Sequence, residues 1–218
     1  MAKKKQRLKI PKSGSINAFA MVIDINHFAG MVRRAETSPD SIAQFTREVL
    51  SGAIMEVEAH GGHVVGFMGD AILGLIEDGE AAVKTCFSIA RDVDRQCEYV
   101  SLEQNDCKGI WQYAPGGASL KIAIEYGRMD VSTISSRYLG VHKLFVGNAV
   151  VYATRISRAG RGNRCVVGPL AARTFKEYGL DGPYSVAGKP GEPRYKYYRF
   201  DMSEIWREGP KRKETYWG

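Results

Sequence analysis

Short apolar runs alternate with longer amphipathic stretches along this chain. Uninterrupted apolar runs at residues 19–23 and 71–76 predict buried strands. Apolar residues at helical spacing predict helices over residues 40–60 and 79–100, and a Gly-Gly pair stops the first of them. The whole pattern reads β-α-β-β-α-β-β-α-β-α-β-β. Mixed strands with helices laid on one face indicate an α+β domain.

The second half of the chain is less regular. Residues 101–118 hold Gly, Pro and Asn without periodicity and predict a long surface loop. A strand over residues 120–127 is expected to end at its glycine and to pair with residues 128–134. Residues 135–143 then form a polar connection to a helix that begins at Gly147.

No linker or internal repeat divides the chain. We therefore expect one domain over residues 17–200, between a basic tail at residues 1–16 and a second tail at residues 201–218. The 218 residues are 44% hydrophobic and 25% charged, which is ordinary for a globular protein. A chain of this length can bury a good core in one domain.

The charge, the lengths of the apolar runs and the cysteine content indicate where in the cell the protein is expected. The net charge of +7 is concentrated at the ends, so the basic start is interpreted as a solvated tail and nucleic-acid binding is not expected. No apolar run approaches the length of a membrane span, and the Lys-rich start lacks the apolar stretch of a signal peptide. The four cysteines form no Cys-x-x-Cys pair and are typical of reduced thiols. We expect a cytoplasmic protein.

Candidate chemistry lies at the ends of two apolar runs. Asp24 follows the first run, and Gly69-Asp70 separates two apolar runs as the turn of a hairpin. Two carboxylates on rigid strand ends suit a site for two divalent cations and a phosphate, because hard cations take oxygen ligands. Each aspartate taken alone is more often a helix cap or a turn former.

Further motifs follow in a characteristic order. A Gly-Gly…Gly-Asp hairpin at residues 61–76 is followed by an I-x-I-x-x-G strand at residues 122–127. A G-x-x-V-x-x-A-x-R helix starts at Gly147 and carries Arg155, and a Gly-Lys turn precedes the closing strand at residues 195–200. In this order the set resembles the catalytic domain of class III nucleotidyl cyclases, over about residues 17–200. The resemblance implies a ferredoxin-like βαββαβ fold with a mixed or antiparallel sheet.

The resemblance also implies a reaction and assigns residues to it. The 3′-hydroxyl of a nucleoside triphosphate attacks the α-phosphate and gives a 3′,5′-cyclic nucleotide and pyrophosphate. Two divalent cations, Mn²⁺ or Mg²⁺, are expected as cofactors, and Arg155 neutralises charge that develops on the α-phosphate. The expected metal ligands are Asp24, Asp70 and the backbone carbonyl of Ile25. The expected phosphate-cradling turn begins with Asn26, His27 and Phe28.

One domain of this family supplies only half of an active site. The aspartate pair and the arginine stand on opposite walls that different domains contribute. A chain with one copy must therefore pair with itself, and we expect a two-fold head-to-tail homodimer with two equivalent sites.

At three positions this sequence departs from the purine cyclases. Those enzymes use the three positions to contact the base and the ribose. The position four residues before Asp70 is Gly66 and the position three before Gly147 is Leu144, neither of which can read a purine edge. The family's ribose-orienting Asn is replaced by Val151, and Asn148 one turn earlier is the candidate substitute. With these departures the chain resembles the bacterial pyrimidine cyclases of the Pycsar antiphage system. The products of those enzymes signal to a separate effector protein. These departures favour UTP, then CTP, as the substrate.

Other interpretations stay open. Candidate base-reading side chains are Phe67, Tyr152 and His142, although aromatic residues at such positions are commonly core residues. The protein could instead be a purine cyclase with an atypical pocket, or a catalytically inactive nucleotide-binding domain. A nucleic-acid-binding domain that uses its basic ends is a weaker alternative.

Overall fold

The computed structural model describes residues 8–26, 28–33, 39–103, 120–138, 140–160 and 164–201. The strands are β1 (Gly14–Ile25), β2 (His63–Phe67), β3 (Ala71–Ile76), β4 (Leu120–Ser136), β5 (Gly140–Val146), β6 (Arg164–Val167), β7 (Asp181–Val186) and β8 (Tyr195–Asp201). The helices are α1 (Phe28–Arg33), α2 (Pro39–Ala59), α3 (Gly79–Glu103), α4 (Asn148–Ile156) and α5 (Ala172–Phe175). The predicted order of elements is confirmed, with the short helix α1 in addition.

One mixed sheet organises the domain. Its strand order is β2-β3-β1-β4-β6-β8-β7, and β5 pairs with β4 beyond this path. β4 and β6 run parallel, whereas the other pairings among the described strands are antiparallel. The first four strands, with α2 and α3 as crossovers, form the expected ferredoxin-like βαββαβ unit. The α+β fold class is confirmed.

The helices pack on both faces of the sheet, so their expected placement on one face is wrong. β1 turns Phe19, Met21 and Ile23 towards α2 and α3 in a first core, and Ala18, Ala20 and Val22 towards α4 in a second. The apolar side of α4, formed by Ala149, Ala153 and Ile156, is covered by the second core. Small residues on that side of β1 leave room for a helix.

β4 is longer than expected and does not turn at Gly127. It pairs with β1 without a break from Gly14↔Val131 to Ile25↔Leu120. A Cβ atom at Gly127 would lie 3.4 Å from the Cβ of Ala149, so this glycine permits the close approach of α4. The predicted pairing with residues 128–134 and the polar connection at 135–143 are therefore wrong. β4 continues to Ser136 and forms a hairpin with β5.

The packed body begins before the predicted boundary at residue 17. β1 starts at Gly14, and Leu8 is buried in the second core. The N–H group of Leu8 donates to the carbonyl of Gly61, and a ring nitrogen of His63 lies 2.8 Å from the carbonyl oxygen of Leu8. The remaining tails and the predicted loop after α3 lie outside the described residues.

Two of the four cysteines lie in described, buried positions. Cys86 on α3 and Cys165 on β6 are free thiols with sulfur atoms 3.9 Å apart. Burial raises the pKa of the Cys165 thiol. Across the described part of the chain, no helix is both long and apolar enough to span a membrane.

Candidate active site

The two candidate metal aspartates meet at one end of the sheet. Asp24 is the penultimate residue of β1, and its register partner on β3 is Ala71, which directly follows Asp70. The N–H group of Ile25 donates to the carbonyl of Asp70 at 3.2 Å, which fixes the hairpin turn against the end of β1. The turn itself closes through Met68 N–H and the Ala71 carbonyl at 2.8 Å.

The two carboxyl groups influence each other electrostatically. Burial, and after it the nearby Asp24 charge, raises the pKa of Asp70. Both effects disfavour a second negative charge at this position. A divalent cation would offset that repulsion.

Lys121 is a neighbour that the sequence analysis missed. It is the register partner of Asp24 on β4, and its Nζ lies 2.8 Å from Oδ2 of Asp24. Both side chains are about one-fifth exposed, at 21% and 20%. A single lysine inside the apolar run at residues 120–124 was the available signal, but only the pairing of β1 with β4 places it at the carboxylates.

The oxygen ligands present fit a hard divalent cation. Asp24, Asp70 and the Ile25 carbonyl are the ligand types that Mg²⁺ and Mn²⁺ accept. Within the described residues, no group of three or more His, Cys, Asp or Glu side chains could form a complete metal cage. Mg²⁺ commonly keeps some coordination positions for water and substrate phosphate.

The expected phosphate turn joins β1 to α1. Asn26 occupies the turn and α1 begins at Phe28, while His27 lies outside the described residues. The Phe28 ring packs against the first core. It also lines an open apolar cavity of about 840 Å³ between α1, α2 and the end of β2.

Arg155 lies near the C-terminal end of α4 and is held by Glu192. Arg155 Nε and Nη2 each donate to a different oxygen of Glu192 at 2.6 Å. Hydrogen bonding from Arg155 is the main reason why the pKa of Glu192 falls to about 2. The exposed fractions of the two side chains are 15% and 27%, so both are partly shielded from water.

Arg155 and the aspartate pair are not brought together within one chain. Glu192 lies between β7 and β8, whereas Asp24 and Lys121 lie on β1 and β4. Two strands, β4 and β6, separate β1 from β8, which corresponds to ~14 Å across the sheet. Arg155 is directed to the β7–β8 side by its contact with Glu192.

The candidate base positions are also far apart. Gly66 on β2 faces Leu73, whose Cβ would lie 3.8 Å from a Cβ added at position 66. Leu144 on β5 pairs with Ser132 of β4, while Asp24 pairs with Lys121 of the same strand. That spacing along β4 corresponds to roughly 36 Å. Leu144 and the aspartates of one chain therefore cannot contact the same nucleotide.

The structure separates the remaining candidate residues. Asn148 is exposed at the start of α4, and Val151 is 42% exposed on the same helix. The Tyr152 hydroxyl donates to the Lys196 carbonyl and its ring meets Tyr195 edge-on at 5.0 Å, so Tyr152 is engaged in the contact of α4 with β8.

Phe67 and His142 lie elsewhere again. Phe67 is 70% exposed and lines the apolar cavity beside α2, whereas His142 pairs with Ile134 near the outer end of the β4–β5 hairpin. Phe67, Tyr152 and His142 of one chain therefore do not form a common pocket.

Comparison with known proteins identifies the fold. No protein-family model matches the sequence, and no curated protein matches it. The structure is similar to the guanylyl cyclase Cya2, with a TM-score of 0.70 and 15% identity, over 87% of this chain and 93% of that one. It is similar to the adenylyl cyclase CyaB from P. aeruginosa, with a TM-score of 0.70 and 14% identity, over 87% and 95% of the two chains.

A third similar structure holds a nucleotide. It is the guanylate cyclase domain of RhGC from Catenaria anguillulae in complex with GTP, with a TM-score of 0.65 and 16% identity, over 85% of this chain and 97% of that one. The chain therefore has the fold of class III adenylyl and guanylyl cyclase catalytic domains.

Proposed function

We propose that this protein is a nucleotidyl cyclase that converts a nucleoside triphosphate to its 3′,5′-cyclic monophosphate and pyrophosphate. The observation that carries the proposal is the meeting of Asp24 and Asp70 at the end of β1, within a cyclase-type fold. Structural neighbours named as adenylyl and guanylyl cyclases support the reaction class. Divalent cations are used by this class of enzymes in general.

Different residues of this chain have different roles in the proposed reaction. Asp24, Asp70 and the Ile25 carbonyl would hold two divalent cations, which would supply Lewis-acid activation of the 3′-hydroxyl and charge stabilisation on the phosphates. Lys121 is paired with Asp24. Cations held by the carboxylates would compete with Lys121 for Asp24, and the ammonium would then be available to a phosphate oxygen. Asn26 directly follows Ile25, the last residue of β1.

Arg155 would complete the site from a second copy of the chain. Its guanidinium is suited to the charge that develops on the α-phosphate, because it donates several N–H groups in a fixed plane. The ~14 Å between β1 and β8, estimated from strand spacing, supports a site shared between protomers. We therefore infer a head-to-tail homodimer with two equivalent sites.

The proposal also specifies which base the substrate carries. Gly66 and Leu144 offer no polar group, and a purine edge left unpaired in a buried pocket would cost about 1–3 kcal/mol for each unsatisfied group. This favours UTP, then CTP, and a product that acts on a separate effector in antiphage defence. The structural neighbours act on purines by their names, so a purine cyclase with an atypical pocket is the second candidate.

The decisive experiment is incubation of the purified protein with each of ATP, GTP, CTP and UTP in the presence of Mn²⁺, with the products identified by mass. Cyclic UMP or cyclic CMP supports the pyrimidine proposal. Cyclic AMP or cyclic GMP retains the cyclase and overturns the choice of base. No product from any of the four, with the dimer verified, refutes catalysis by the isolated protein and favours an inactive or activator-dependent domain.

Complementation tests the shared site. Asp70→Ala and Arg155→Ala chains should each be inactive, while their mixture should recover about a quarter of the wild-type activity, since half of the dimers are mixed and each has one intact site. Absence of recovery in verified mixed dimers would contradict the shared site.

A further inference from the structure

We propose that Glu192 is the positioning residue of Arg155: it fixes the guanidinium so that the nitrogen it does not use, Nη1, faces the α-phosphate bound by the partner protomer. The inference rests on the proposed function and deepens it. It assigns a role to a carboxylate in the connection between β7 and β8, where no predicted site residue lies.

The contact fixes the arginine in plane and in direction. Two parallel N–H···O bonds of 2.6 Å join Arg155 Nε and Nη2 to the two oxygens of Glu192. A bidentate pair of this kind defines the orientation of the guanidinium as well as its position. Because the Nε–H and one N–H of Nη2 are occupied, Nη1 is the nitrogen that Glu192 leaves entirely to another acceptor.

Glu192 is itself held in place by further hydrogen bonds, as a residue that positions Arg155 must be. Its Oε2 accepts the Lys189 N–H at 3.0 Å and faces the Tyr195 hydroxyl at 3.3 Å. Tyr195 is 9% exposed and its ring packs edge-on against Tyr152, one helical turn before Arg155. The carboxylate is thus held by its own loop and strand, and it can remain in place when a phosphate arrives.

The electrostatics agree with a directional role. A guanidinium paired to a carboxylate has a smaller net charge towards the substrate, so its main contribution is the fixed direction of its remaining N–H groups. Preorganised donors of this kind need no reorientation during the reaction. Loss of the support should therefore reduce the rate of the chemical step more than the affinity for the triphosphate.

The kinetic test compares Glu192→Ala with Asp181→Asn. Asp181 is a second carboxylate of the same strand pair that accepts the Tyr184 hydroxyl, so its variant is a control for local disturbance. Glu192→Ala should lower kcat by about 10- to 100-fold, since small misplacements of a catalytic group have effects of this size. KM should change less than kcat, and Asp181→Asn should retain wild-type kinetics. A kcat of Glu192→Ala within twofold of wild type overturns the proposal.

Mixed dimers locate Glu192 in the same half-site as Arg155. Glu192→Ala chains mixed with Asp70→Ala chains should recover activity, because one hybrid site then combines an intact aspartate pair with an intact Arg155–Glu192 pair. Glu192→Ala chains mixed with Arg155→Ala chains should not recover. Recovery in the second mixture, or its absence in the first with mixed dimers verified, overturns the assignment.

A readout without turnover separates this inference from the proposed function. The ¹⁵N NMR resonance of the Arg155 Nε–H group, identified by its loss in Arg155→Lys, should shift or broaden in Glu192→Ala and stay unchanged in Asp181→Asn. An unchanged resonance in Glu192→Ala overturns the positioning contact itself. If the resonance shifts in Glu192→Ala but the wild-type protein forms no cyclic nucleotide from any triphosphate, the proposed function is refuted, and with it the catalytic consequence of the contact.

Discussion

Glu125 is a buried carboxylate whose removal should destabilise the fold. It lies inside β4 with 3% of its surface exposed. One oxygen, Oε1, accepts the N–H groups of Tyr126, Leu170 and Ala171 at 2.8, 3.0 and 2.8 Å. The carboxylate therefore ties β4 to the turn that leads into α5.

The size of the effect follows from the three donors. A buried N–H group that loses its acceptor costs about 1–3 kcal/mol, although water can enter the space left by Glu125→Ala and partly replace the carboxylate. Burial raises the pKa of Glu125, so removal of the charge also returns some free energy. We expect Glu125→Ala to lower the free energy of unfolding by about 3 kcal/mol, which corresponds to a fall in Tm of about 6–12 °C for a chain of this size.

Glu125→Gln is the matched control, because an amide oxygen can still accept the three N–H groups. Its stability at pH 7 should lie within about 1 kcal/mol of wild type. Urea unfolding followed by circular dichroism measures both variants. If Glu125→Ala were within 1 kcal/mol of wild type, or if Glu125→Gln were equally destabilised, the three-donor argument would be refuted.

The stability difference between Glu125→Gln and wild type should depend on pH. A carboxyl with a raised pKa in the folded state favours folding most below its unfolded pKa, near 4.5, and this contribution is lost as pH rises through the folded value. Glu125→Gln should therefore gain stability relative to wild type as pH rises above 4.5. A difference between the two that is constant with pH would contradict the cause assigned to the shift.

Two further predictions concern other positions. Glu192 has a pKa lowered from 4.5 to about 2, so its contribution to stability is present above pH 4.5 and is lost as pH falls towards 2; acid titration of unfolding should show this loss in wild type and not in Glu192→Gln. A Cβ at Gly62 would lie 2.6 Å from Ile76 Cγ1 and 2.8 Å from the Leu75 carbonyl, so Gly62→Ala should cost about 1–3 kcal/mol. Gly66→Ala should cost less than ~0.5 kcal/mol, and equal values for the two glycines would refute the argument from space.

Local patterns predicted much of this fold. The Gly-Asp turn between two apolar runs predicted the β2–β3 hairpin, helical spacing predicted α2 and α3, and the motif that starts at Gly147 predicted α4. These features depend on residues close in sequence, where turn chemistry and periodicity act directly. The two aspartates were predicted by the same local signals, and the register of β1 with β3 brings them together.

Other features depend on contacts between distant segments, which spacing does not reveal. Gly127 suggested a strand end, yet it lies in the interior of β4 because α4 approaches it. The position of α4 on the opposite face follows from small residues such as Ala18 and Ala20 on β1. Lys121 and Glu192 gain their roles only from partners in other elements, Asp24 and Arg155.

Gly66 has a consequence for how this protein can change over evolutionary time. Among the residues that the structure describes, a methyl group at this position would meet only the Leu73 side chain, at an ordinary contact distance of 3.8 Å. Mutations persist when they keep a protein above its stability threshold. A side chain added at position 66 should change the free energy of unfolding little. If position 66 contacts the base, substrate preference can diverge through single substitutions that the rest of the domain tolerates without compensating changes.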